Sequence, residues 1–512
     1  MAKAIMVCGT GSGVGKSVIT AGLCRILYED GFSVAPFKSQ NMALNSYVTR
    51  DGKEMARAQA FQARCCGLEP VTDMNPILIK PIKDTKAQLI VNGKAVGNYD
   101  VKGYDKYKKR AFRIAKDAFA RLREDYEVIV MEGAGSPAEI NLKDDIANLK
   151  MANAANAPVI LAGDIDYGGV FAWFVGTLEL LNKKERRQVK GFIINKFRGD
   201  YDILKPGLKY LEKRTGIPVL GVIPYIYNLK IEEEDSIPKG LFSKNPPKAK
   251  KLIDIEVLCL PHISNFTDFD CFDLEPDVRL RYVKFGDKIG AADILIIPGT
   301  KHTIGDMKKL NEYGYAEAIR KLALKGTFIV GLCGGYQILG KKVCDKYGCE
   351  SDERYADGLG LLDVQTEFEP DKIVARVEAE AIDGAAALLG LKGKFYGYEI
   401  HMGRTRYLSS LAKPLFTLRR LSAREKARSV LDGAVNREGN VIGTYIHGIF
   451  DNPDFRAAVL NRIRQAKGIK VKEAGHSAAT EDGILKVTKA LRENLDLEAI
   501  HNILGLKPKC QD

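Results

Sequence analysis

Short, continuously apolar runs alternate with helix-like stretches over residues 1–231 of the chain. A strand with one solvated face would alternate apolar and polar positions, whereas these runs are apolar throughout. They therefore predict strands that are buried on both faces, in a parallel sheet covered by helices. The predicted strands are 5–8, 34–37, 127–131, 158–162, 191–195 and 219–224.

A second alternating unit begins near residue 253, with strands predicted at 255–260, 294–298, 328–332 and 441–445. Residues 232–252 between the two units are rich in charge, Pro and Gly, which is typical of an exposed linker. The stretch after the second unit has a helical pattern without a clear role. We therefore expect an α/β protein with domains at 1–231 and 253–467, a linker at 232–252 and a helical tail at 468–512.

Composition limits the class of protein. The chain has 512 residues, 46% hydrophobic and 28% charged, which is ordinary for a soluble protein of several domains. It contains no apolar run long enough to span a membrane, its start resembles a buried strand more than a signal peptide, and its ten cysteines are scattered. These features favour a cytoplasmic location for the protein. The net charge of +13 is dispersed, its densest cluster lies at 244–251, and no nucleic-acid-binding module is present.

A glycine-rich loop joins the first strand to the first predicted helix. Its backbone N–H groups and the helix N-terminus suit the phosphates of ATP, with a lysine to neutralise charge and a serine to bind Mg²⁺. An acid after the third strand is a second candidate for Mg²⁺. An asparagine after the fifth strand could recognise adenine or act only as a cap. The predicted ATP contacts are Gly9, Thr10, Gly13, Gly15, Lys16, Ser17 and Asn195, and the predicted Mg²⁺ ligands are Ser17 and Glu132.

A cysteine stands between small residues where strand 328–332 gives way to a helix. Such a turn exposes the sulfur and leaves the next backbone N–H facing an oxyanion. Cys333 is therefore the candidate nucleophile, and His447, at the end of the last strand, is its candidate base. Gly334 and Gly299, the latter in a Pro-Gly turn after another strand, are the candidate oxyanion-hole residues.

The second unit resembles the triad class of glutamine amidotransferases. Many of these have a glutamate two residues after the histidine, where this chain has Ile449. The group that orients His447 is therefore open, with Asp451 as a candidate. The phosphate loop, with Gly9 one residue earlier than the usual spacing, resembles that of dethiobiotin synthetase and of enzymes that amidate cobyrinate. A partition ATPase would have a lysine at Gly11.

Longer motifs resemble the cobyric acid synthase family from about Ala4 to Arg462. The motifs are 36–46, 54–59, 75–81, 164–172, 195–200 and 397–403. The resemblance implies a dethiobiotin-synthetase-like P-loop domain followed by a class I, or triad, amidotransferase domain. It also implies that ATP and glutamine are used to amidate the b, d, e and g carboxylates of adenosylcobyrinic acid a,c-diamide.

Two alternative assignments predict different features of the sequence. One is another corrinoid amidotransferase, such as cobyrinic acid a,c-diamide synthase, in which motif 36–42 is not expected. The other is a switch ATPase fused to an inactive amidotransferase-like module, which would lack Cys333 or His447.

The resemblance also suggests where the substrates bind. Polar residues after the second strand are expected to contact the corrinoid carboxylates or the γ-phosphate, although turn or cap roles are an alternative. His401 could line the glutaminase site or have a structural role. Glutamine and the corrinoid are the expected partners, nucleic acid and membrane are not, and a homo-oligomer is left open. The candidate substrate contacts are Lys38, Gln40, Asn41, Asn45 and Arg57.

Overall fold

The structure is a computed structural model that describes residues 2–83, 85–141, 145–227, 229, 252–421, 429–474, 479–507 and 509. It divides the chain into two compact units. The first contains residues 1–43, 54–235 and 478–512, and the second contains 44–53 and 236–477. The predicted linker at 232–252 and the lysine cluster at 244–251 lie outside the described residues, apart from Leu252.

The core of the first unit is a parallel sheet of six strands. Its strands coincide with the six apolar runs of the first half of the sequence, so the predicted α/β class is confirmed. From edge to edge the strands are Val219–Pro224, Val189–Phe197, Val159–Asp164, Lys3–Gly9, Val128–Glu132 and Val34–Phe37.

Helices and a smaller sheet complete the first unit. The smaller sheet contains Gln40–Met42, Ile77–Lys83, Lys86–Val91 and Lys94–Asp100, and a further strand, Glu54–Ala56, precedes the second helix. The helices are Lys16–Glu29, Arg57–Cys65, Val101–Asp125, Leu149–Ala155, Val170–Leu180, Lys183–Gln188, Tyr201–Thr215, Ala479–Asn494 and Leu497–Leu504, with a 3-10 turn at Thr72–Met74.

The C-terminal helices pack on the first unit, which the sequence did not predict. Leu491 and Val487 of helix Ala479–Asn494 lie against helix Lys16–Glu29, so close that a Cβ on Gly22 would stand 2.6 Å from Leu491 Cδ2. The backbone N–H of Asp496 donates to the carbonyl of Leu220 in the sheet at 2.7 Å. The predicted tail at 468–512 is therefore not separate: its described helices belong to the core of the first unit.

The second unit has its own central sheet, parallel except for one edge strand. The strands in order are Val278–Lys284, Ile253–Cys259, Ile294–Ile297, Phe328–Leu332, Val441–Thr444 and Ala434–Val435. Its helices are Thr303–Glu312, Tyr315–Leu324, Gly334–Leu339, Asp383–Leu389 and Pro453–Ala466, with 3-10 segments at Phe266–Leu274 and Ile449–Asp451.

A largely antiparallel sheet lies beside it and was not predicted from the sequence. Its strands are Tyr355–Asp357, Lys342–Cys344, Val364–Ala381, Phe416–Arg420 and Val430–Asp432, with Lys394–Tyr407 paired to Val364–Ala381. Two short strands, Ile263–Ser264 and Gly299–Thr300, pair antiparallel, and Ser46–Val48 is also extended. Among the described residues, no helix is both long and apolar enough to cross a membrane.

Candidate functional site

The glycine-rich loop turns sharply between strand Lys3–Gly9 and helix Lys16–Glu29. Gly13 and Gly15 have φ of 72° and 97°, a region that favours glycine. A Cβ at Gly15 would lie only 2.2 Å from Nδ2 of Asn195, so a side chain there would displace the loop. The loop thus brings its backbone to the start of the helix, where the N–H groups suit phosphate oxygens.

The Lys16 side chain folds back over this loop. Its Nζ donates to the carbonyl of Gly11 at 2.8 Å and to that of Gly135 at 3.1 Å. Gly135 follows the strand that ends at Glu132, so the lysine spans the ends of two neighbouring strands. An ammonium held at this position can neutralise phosphate charge.

Glu132 is the centre of a buried polar cluster at the same edge of the sheet. Its Oε1 accepts from Ser17 Oγ at 2.9 Å and from Lys38 Nζ at 2.8 Å, and its Oε2 accepts from Gln62 Nε2 at 2.5 Å. Burial raises the pKa of Glu132, but the Lys38 ammonium and these hydrogen bonds bring it below its usual value. Glu132 is therefore an anion. One of its oxygens lies next to the Ser17 hydroxyl, as expected if both residues bind the same Mg²⁺ ion.

Cys333 occupies a strained turn in the second unit. It follows strand Phe328–Leu332, precedes helix Gly334–Leu339 and has φ of +51°, which is unfavourable for a residue with a Cβ. A Cβ on Gly335 would lie 1.9 Å from the carbonyl oxygen of Ile297, so only glycine fits this turn. The Cys333 thiol donates to the carbonyl of Ile400 at 3.6 Å.

His447 lies close to Cys333, which is one of the groups that raise the pKa of its imidazole. Its Nδ1 is 2.6 Å from Oδ2 of Asp268, and the backbone N–H of Gly448 donates to Oδ1 of the same carboxylate at 3.1 Å. Burial lowers the pKa of His447, but Asp268 and Cys333 outweigh it and raise that pKa to about 9. Nδ1 bonds to Asp268, so Nε2 is left for Cys333, as a nucleophile–base–acid triad requires.

The acid that orients His447 is not the candidate named from the sequence. Asp451 is exposed on the turn after His447, and the carboxylate that contacts the imidazole is that of Asp268. Asp268 lies 179 residues before His447, on the 3-10 segment Phe266–Leu274. No spacing rule joins two residues so far apart. The signal available in the sequence was an acid between two phenylalanines, Phe266 and Phe269.

The candidate oxyanion-hole residues lie next to this triad. A Cβ on Gly299 would stand 3.3 Å from Cε1 of His447, and one on Gly334 would stand 2.9 Å from the backbone nitrogen of Thr300. Backbone from both predicted turns therefore meets beside Cys333. Their N–H roles toward an oxyanion stay predictions.

Comparison with known proteins agrees with both sites. Residues 5–238 match the CobQ/CobB/MinD/ParA nucleotide binding domain, and residues 254–455 match the CobB/CobQ-like glutamine amidotransferase domain. Cobyric acid synthase of Clostridium botulinum (strain Langeland) is 50% identical over 509 residues, which are 99% of this chain and 100% of that protein. Those of Clostridium tetani and Dehalococcoides mccartyi are each 48% identical, over 98% and 99% of this chain and 99% of each relative.

The chain belongs to the cobyric acid synthase family. It is accordingly a glutamine-dependent amidating ligase of cobalamin biosynthesis that uses ATP. The Cys333–His447–Asp268 arrangement lies within the residues that match the amidotransferase domain, and the loop with Lys16 lies within those that match the nucleotide binding domain.

The predicted substrate residues of this family member fall into two groups. In the first unit, the buried Lys38 side chain donates a hydrogen bond to Glu132. Asn41 Nδ2 donates to Gln59 Oε1 at 2.9 Å, and the Tyr104 hydroxyl donates to Gln40 Oε1. Arg57, also in the first unit, is buried at the start of helix Arg57–Cys65. Asn45 differs, because it is part of segment 44–53 in the second unit. The structure therefore does not gather the five residues at one place within one unit.

Asn195 supports the phosphate loop directly. Its Nδ2 donates to the carbonyl of Val14 at 2.9 Å, and the neighbouring Lys196 Nζ donates to the carbonyl of Gly13 at 2.7 Å. These bonds hold the loop from the end of strand Val189–Phe197, which lies two strands away from Lys3–Gly9 in the sheet. Contact of Asn195 with adenine stays a prediction.

A cavity of about 470 Å³ opens beside the phosphate loop. The loop residues Thr10, Gly11 and Ser12 line it together with Tyr167 and Trp173. Trp173, the only tryptophan of the chain, is 40% exposed. The cavity gives a ligand access to the loop within the first unit.

His401 contributes to the surroundings of Cys333. It stacks on Tyr445 with ring centroids 3.7 Å apart, and its Nε2 lies 3.1 Å from Oε1 of Glu399. Burial raises the pKa of Glu399, but His401 and Arg420 lower it to about 2. The strand that carries these residues also supplies the Ile400 carbonyl to Cys333, so His401 lies at the edge of the glutaminase site.

Proposed function

We propose that this family member amidates the b, d, e and g carboxylates of adenosylcobyrinic acid a,c-diamide and converts ATP to ADP and phosphate in each round. The observation that supports the proposal is that one chain contains two groups of residues suited to these two reactions. One is the Cys333–His447–Asp268 triad, and the other is the phosphate loop beside the buried Lys38–Glu132 pair.

The triad suits the release of ammonia from glutamine. The Cys333 thiolate attacks the amide carbon, and the charge on the carbonyl oxygen develops beside the backbone of Gly299 and Gly334. The imidazolium of His447 then gives its proton to the departing ammonia, which leaves a γ-glutamyl thioester. Water activated by His447 cleaves this thioester to glutamate and restores the thiol.

The first unit suits activation of a carboxylate. A carboxylate oxygen of the corrinoid attacks the γ-phosphorus of ATP and displaces ADP, because hydroxide is too poor a leaving group for direct amidation. Ammonia attacks the resulting acyl phosphate, phosphate leaves, and a proton is lost to give the amide. Lys16 and Lys38 supply the positive charge that this transfer needs.

Mg²⁺ fits the oxygen donors at this site. The Ser17 hydroxyl and the Glu132 carboxylate lie 2.9 Å apart, and hard oxygen ligands are those that Mg²⁺ prefers. When bound, the ion would neutralise phosphate charge and hold the β- and γ-phosphates in place. Lys38 shares the same Glu132 oxygen, so metal and lysine would share this anion.

Two further expectations follow from the family rather than from a contact. We propose the cytoplasm as the location, in keeping with a soluble biosynthetic enzyme. Self-association would be settled by sedimentation of the purified chain.

The decisive experiment is an amidation assay on adenosylcobyrinic acid a,c-diamide followed by mass spectrometry, with Cys333→Ala beside the wild type. Stepwise conversion by the wild type, lost with glutamine in the variant but retained with free ammonia, is the expected result. Absence of conversion with either nitrogen source, while glutamine is still hydrolysed, would overturn the corrinoid assignment. Cobyrinic acid, tested as an alternative substrate, would then identify the earlier amidation as the activity.

A further inference from the structure

The cavity beside the phosphate loop is large enough to hold part of a small molecule. Its volume of about 470 Å³ is in the range of small-molecule binding sites. Thr10, Gly11 and Ser12 line it from the phosphate loop, and Ser136 and Ala138 line it from the segment that follows strand Val128–Glu132. The cavity therefore lies at the carboxyl edge of the parallel sheet, where ligands of such sheets bind.

The Lys16 ammonium is held between two segments that line this cavity. It donates to the carbonyl of Gly11, which lines the cavity, and to that of Gly135, which directly precedes the lining residue Ser136. An ammonium in this position can neutralise the terminal phosphate of ATP. A carboxylate that enters through the cavity would therefore arrive next to the phosphorus atom that it must attack.

Helix Val170–Leu180 lines the cavity with an exposed face that is apolar. The exposed lining residues of this helix are Ala172, Trp173, Gly176 and Leu180. The face that packs on the core is apolar as well, and a helix that is apolar on both faces is normally covered on both. Trp173 is 40% exposed and Leu180 is 57% exposed, so this face is open to an apolar ligand.

Gly176 leaves room in this face. A Cβ built on Gly176 would meet no other atom within 4 Å, so the fold itself does not require glycine there. Glycine also lowers the stability of a helix interior relative to residues with a side chain. Trp173 and Leu180 flank Gly176 on the same side of the helix, three residues before it and four after it. The missing side chain therefore keeps open the space beside the tryptophan.

The acids at the cavity leave it accessible to an anionic acceptor. Asp164 is buried, and its Oδ2 lies 2.8 Å from Nζ of Lys196, so this carboxylate is neutralised by a partner. Glu139 also lines the cavity, but it is exposed to solvent, where water and salt screen its charge.

We propose that this cavity receives the corrinoid acceptor, with Trp173 and Gly176 as specificity-determining residues. The inference rests on the proposed function and names a binding surface that none of the five candidate substrate contacts lines. A corrin ring has a flat and largely apolar rim, and its carboxylates stand on flexible arms. The rim packs on Trp173 and Leu180, and one arm extends past Gly11 to the γ-phosphate. Apolar contacts are non-directional, so the same face can hold the ring while different arms reach the loop.

The binding test uses the fluorescence of Trp173, which is the only tryptophan of the chain. Adenosylcobyrinic acid a,c-diamide is added to the full wild-type chain without ATP, and free tryptophan amide is titrated in parallel to correct for light absorbed by the corrinoid. Saturable quenching is expected, because the corrinoid absorbs where tryptophan emits and lies against the indole. Gly176→Leu keeps the tryptophan but fills the space beside it, so quenching should require a concentration about tenfold higher or more.

The kinetic test measures ammonia-dependent amidation, which does not need the triad. Trp173→Ala and Gly176→Leu should each raise KM for the corrinoid about tenfold or more and keep KM for ATP within about twofold of the wild type. Trp173→Phe keeps an aromatic ring and should stay closer to the wild type. Tyr210→Ala is the matched control and should change neither KM, because Tyr210 is an exposed aromatic residue on another helix of the first unit and does not line the cavity.

An unchanged KM for the corrinoid in both Trp173→Ala and Gly176→Leu would overturn this assignment. A raised KM for ATP alone would also overturn it, since the cavity would then hold the nucleotide. Sedimentation of the wild type as an oligomer and of both variants as monomers, with unchanged kinetics, would overturn it in favour of a second copy of the chain on this face. Failure of the wild type to amidate the corrinoid with ammonia would instead contradict the proposed function. The fluorescence titration still tests the cavity in that case, because it needs no turnover.

Discussion

Asp268 fixes the tautomer and the orientation of His447, because Nδ1 must donate to this carboxylate for Nε2 to face Cys333. We predict that Asp268→Asn lowers kcat for glutamine hydrolysis by about 10²- to 10⁴-fold, since an amide can stabilise the wrong tautomer. Ammonia-dependent amidation should persist. Asp451→Asn is the matched control and should stay within about threefold of the wild type. A larger loss in Asp451→Asn than in Asp268→Asn would contradict the assignment of the acid.

The same contact makes stability depend on pH. The pKa of His447 is about 9 in the folded chain, against an ordinary value of 6.5. Its contribution is therefore fully present below pH 6.5 and is lost as the pH rises through 9, where the folded imidazolium deprotonates. Relative to His447→Gln, the wild type should lose about 3 kcal/mol of unfolding free energy over this window. Denaturant melts of both proteins at pH 6, 8 and 10 measure the difference, which a pH-independent contribution would leave constant.

Glu132 gives the corresponding residue-scale test in the first unit. We predict that Glu132→Gln lowers ammonia-dependent amidation by about 100-fold or more, because it removes the anion that Ser17 and Lys38 contact. Basal glutamine hydrolysis should be retained. Glu127→Gln, at the residue just before this strand, is the control. Comparable amidation by Glu132→Gln and wild type at saturating ATP would show that Glu132 has no role in this reaction.

The candidate residues differed in how well the sequence alone predicts their surroundings. Cys333 and Lys16 sit in dense local motifs, so a few neighbouring residues predict their surroundings. Asp268 reaches His447 only through the tertiary fold, across 179 residues, and a local pattern cannot express that distance. Asn195 was expected at a strand end and lies there, but its bond to the loop carbonyl of Val14 depends on how three strands are paired.

At the scale of elements, helix Ala479–Asn494 is a structural part of the first unit. Leu491 is 1% exposed in the same apolar core as helix Lys16–Glu29. We predict that Leu491→Ala lowers the free energy of unfolding by about 3 kcal/mol through the cavity that it leaves. Leu485→Ala, in the same helix at 47% exposure, should change it by less than about 1 kcal/mol. Equal melting curves for the two variants would show that the helix does not support the core.

The strands of both central sheets were predictable because they are apolar throughout, a pattern that needs no knowledge of partners. The antiparallel sheet around Val364–Ala381 was missed because its exposed positions dilute the apolar signal. The C-terminal helix was an intermediate case. Its apolar positions Ile484, Val487 and Leu491 predict a buried face, but the spacing does not say which helix covers that face.

At the scale of the whole molecule, two units were predicted and two are found, but they are not consecutive along the chain. Residues 44–53 and 478–512 each belong to the unit that the sequence order would not assign to them. Composition indicates a domain boundary where a long stretch becomes polar, as at 232–252. It does not indicate where a short segment packs in a different unit from the residues on either side of it. The unit to which these two segments belong therefore became clear only from the three-dimensional structure.

The position of helix Ala479–Asn494 has a consequence for the order of assembly on the ribosome. The sheet strands of the first unit are synthesised by residue 224, but the helices that complete its core emerge only after residue 478. At ordinary rates of translation this interval is on the order of tens of seconds. During it, strand Val219–Pro224 and helix Lys16–Glu29 have an uncovered apolar face, and by its end every residue assigned to the second unit has been made. The glutaminase half should therefore mature before the half that consumes its ammonia, although its gene segment comes later.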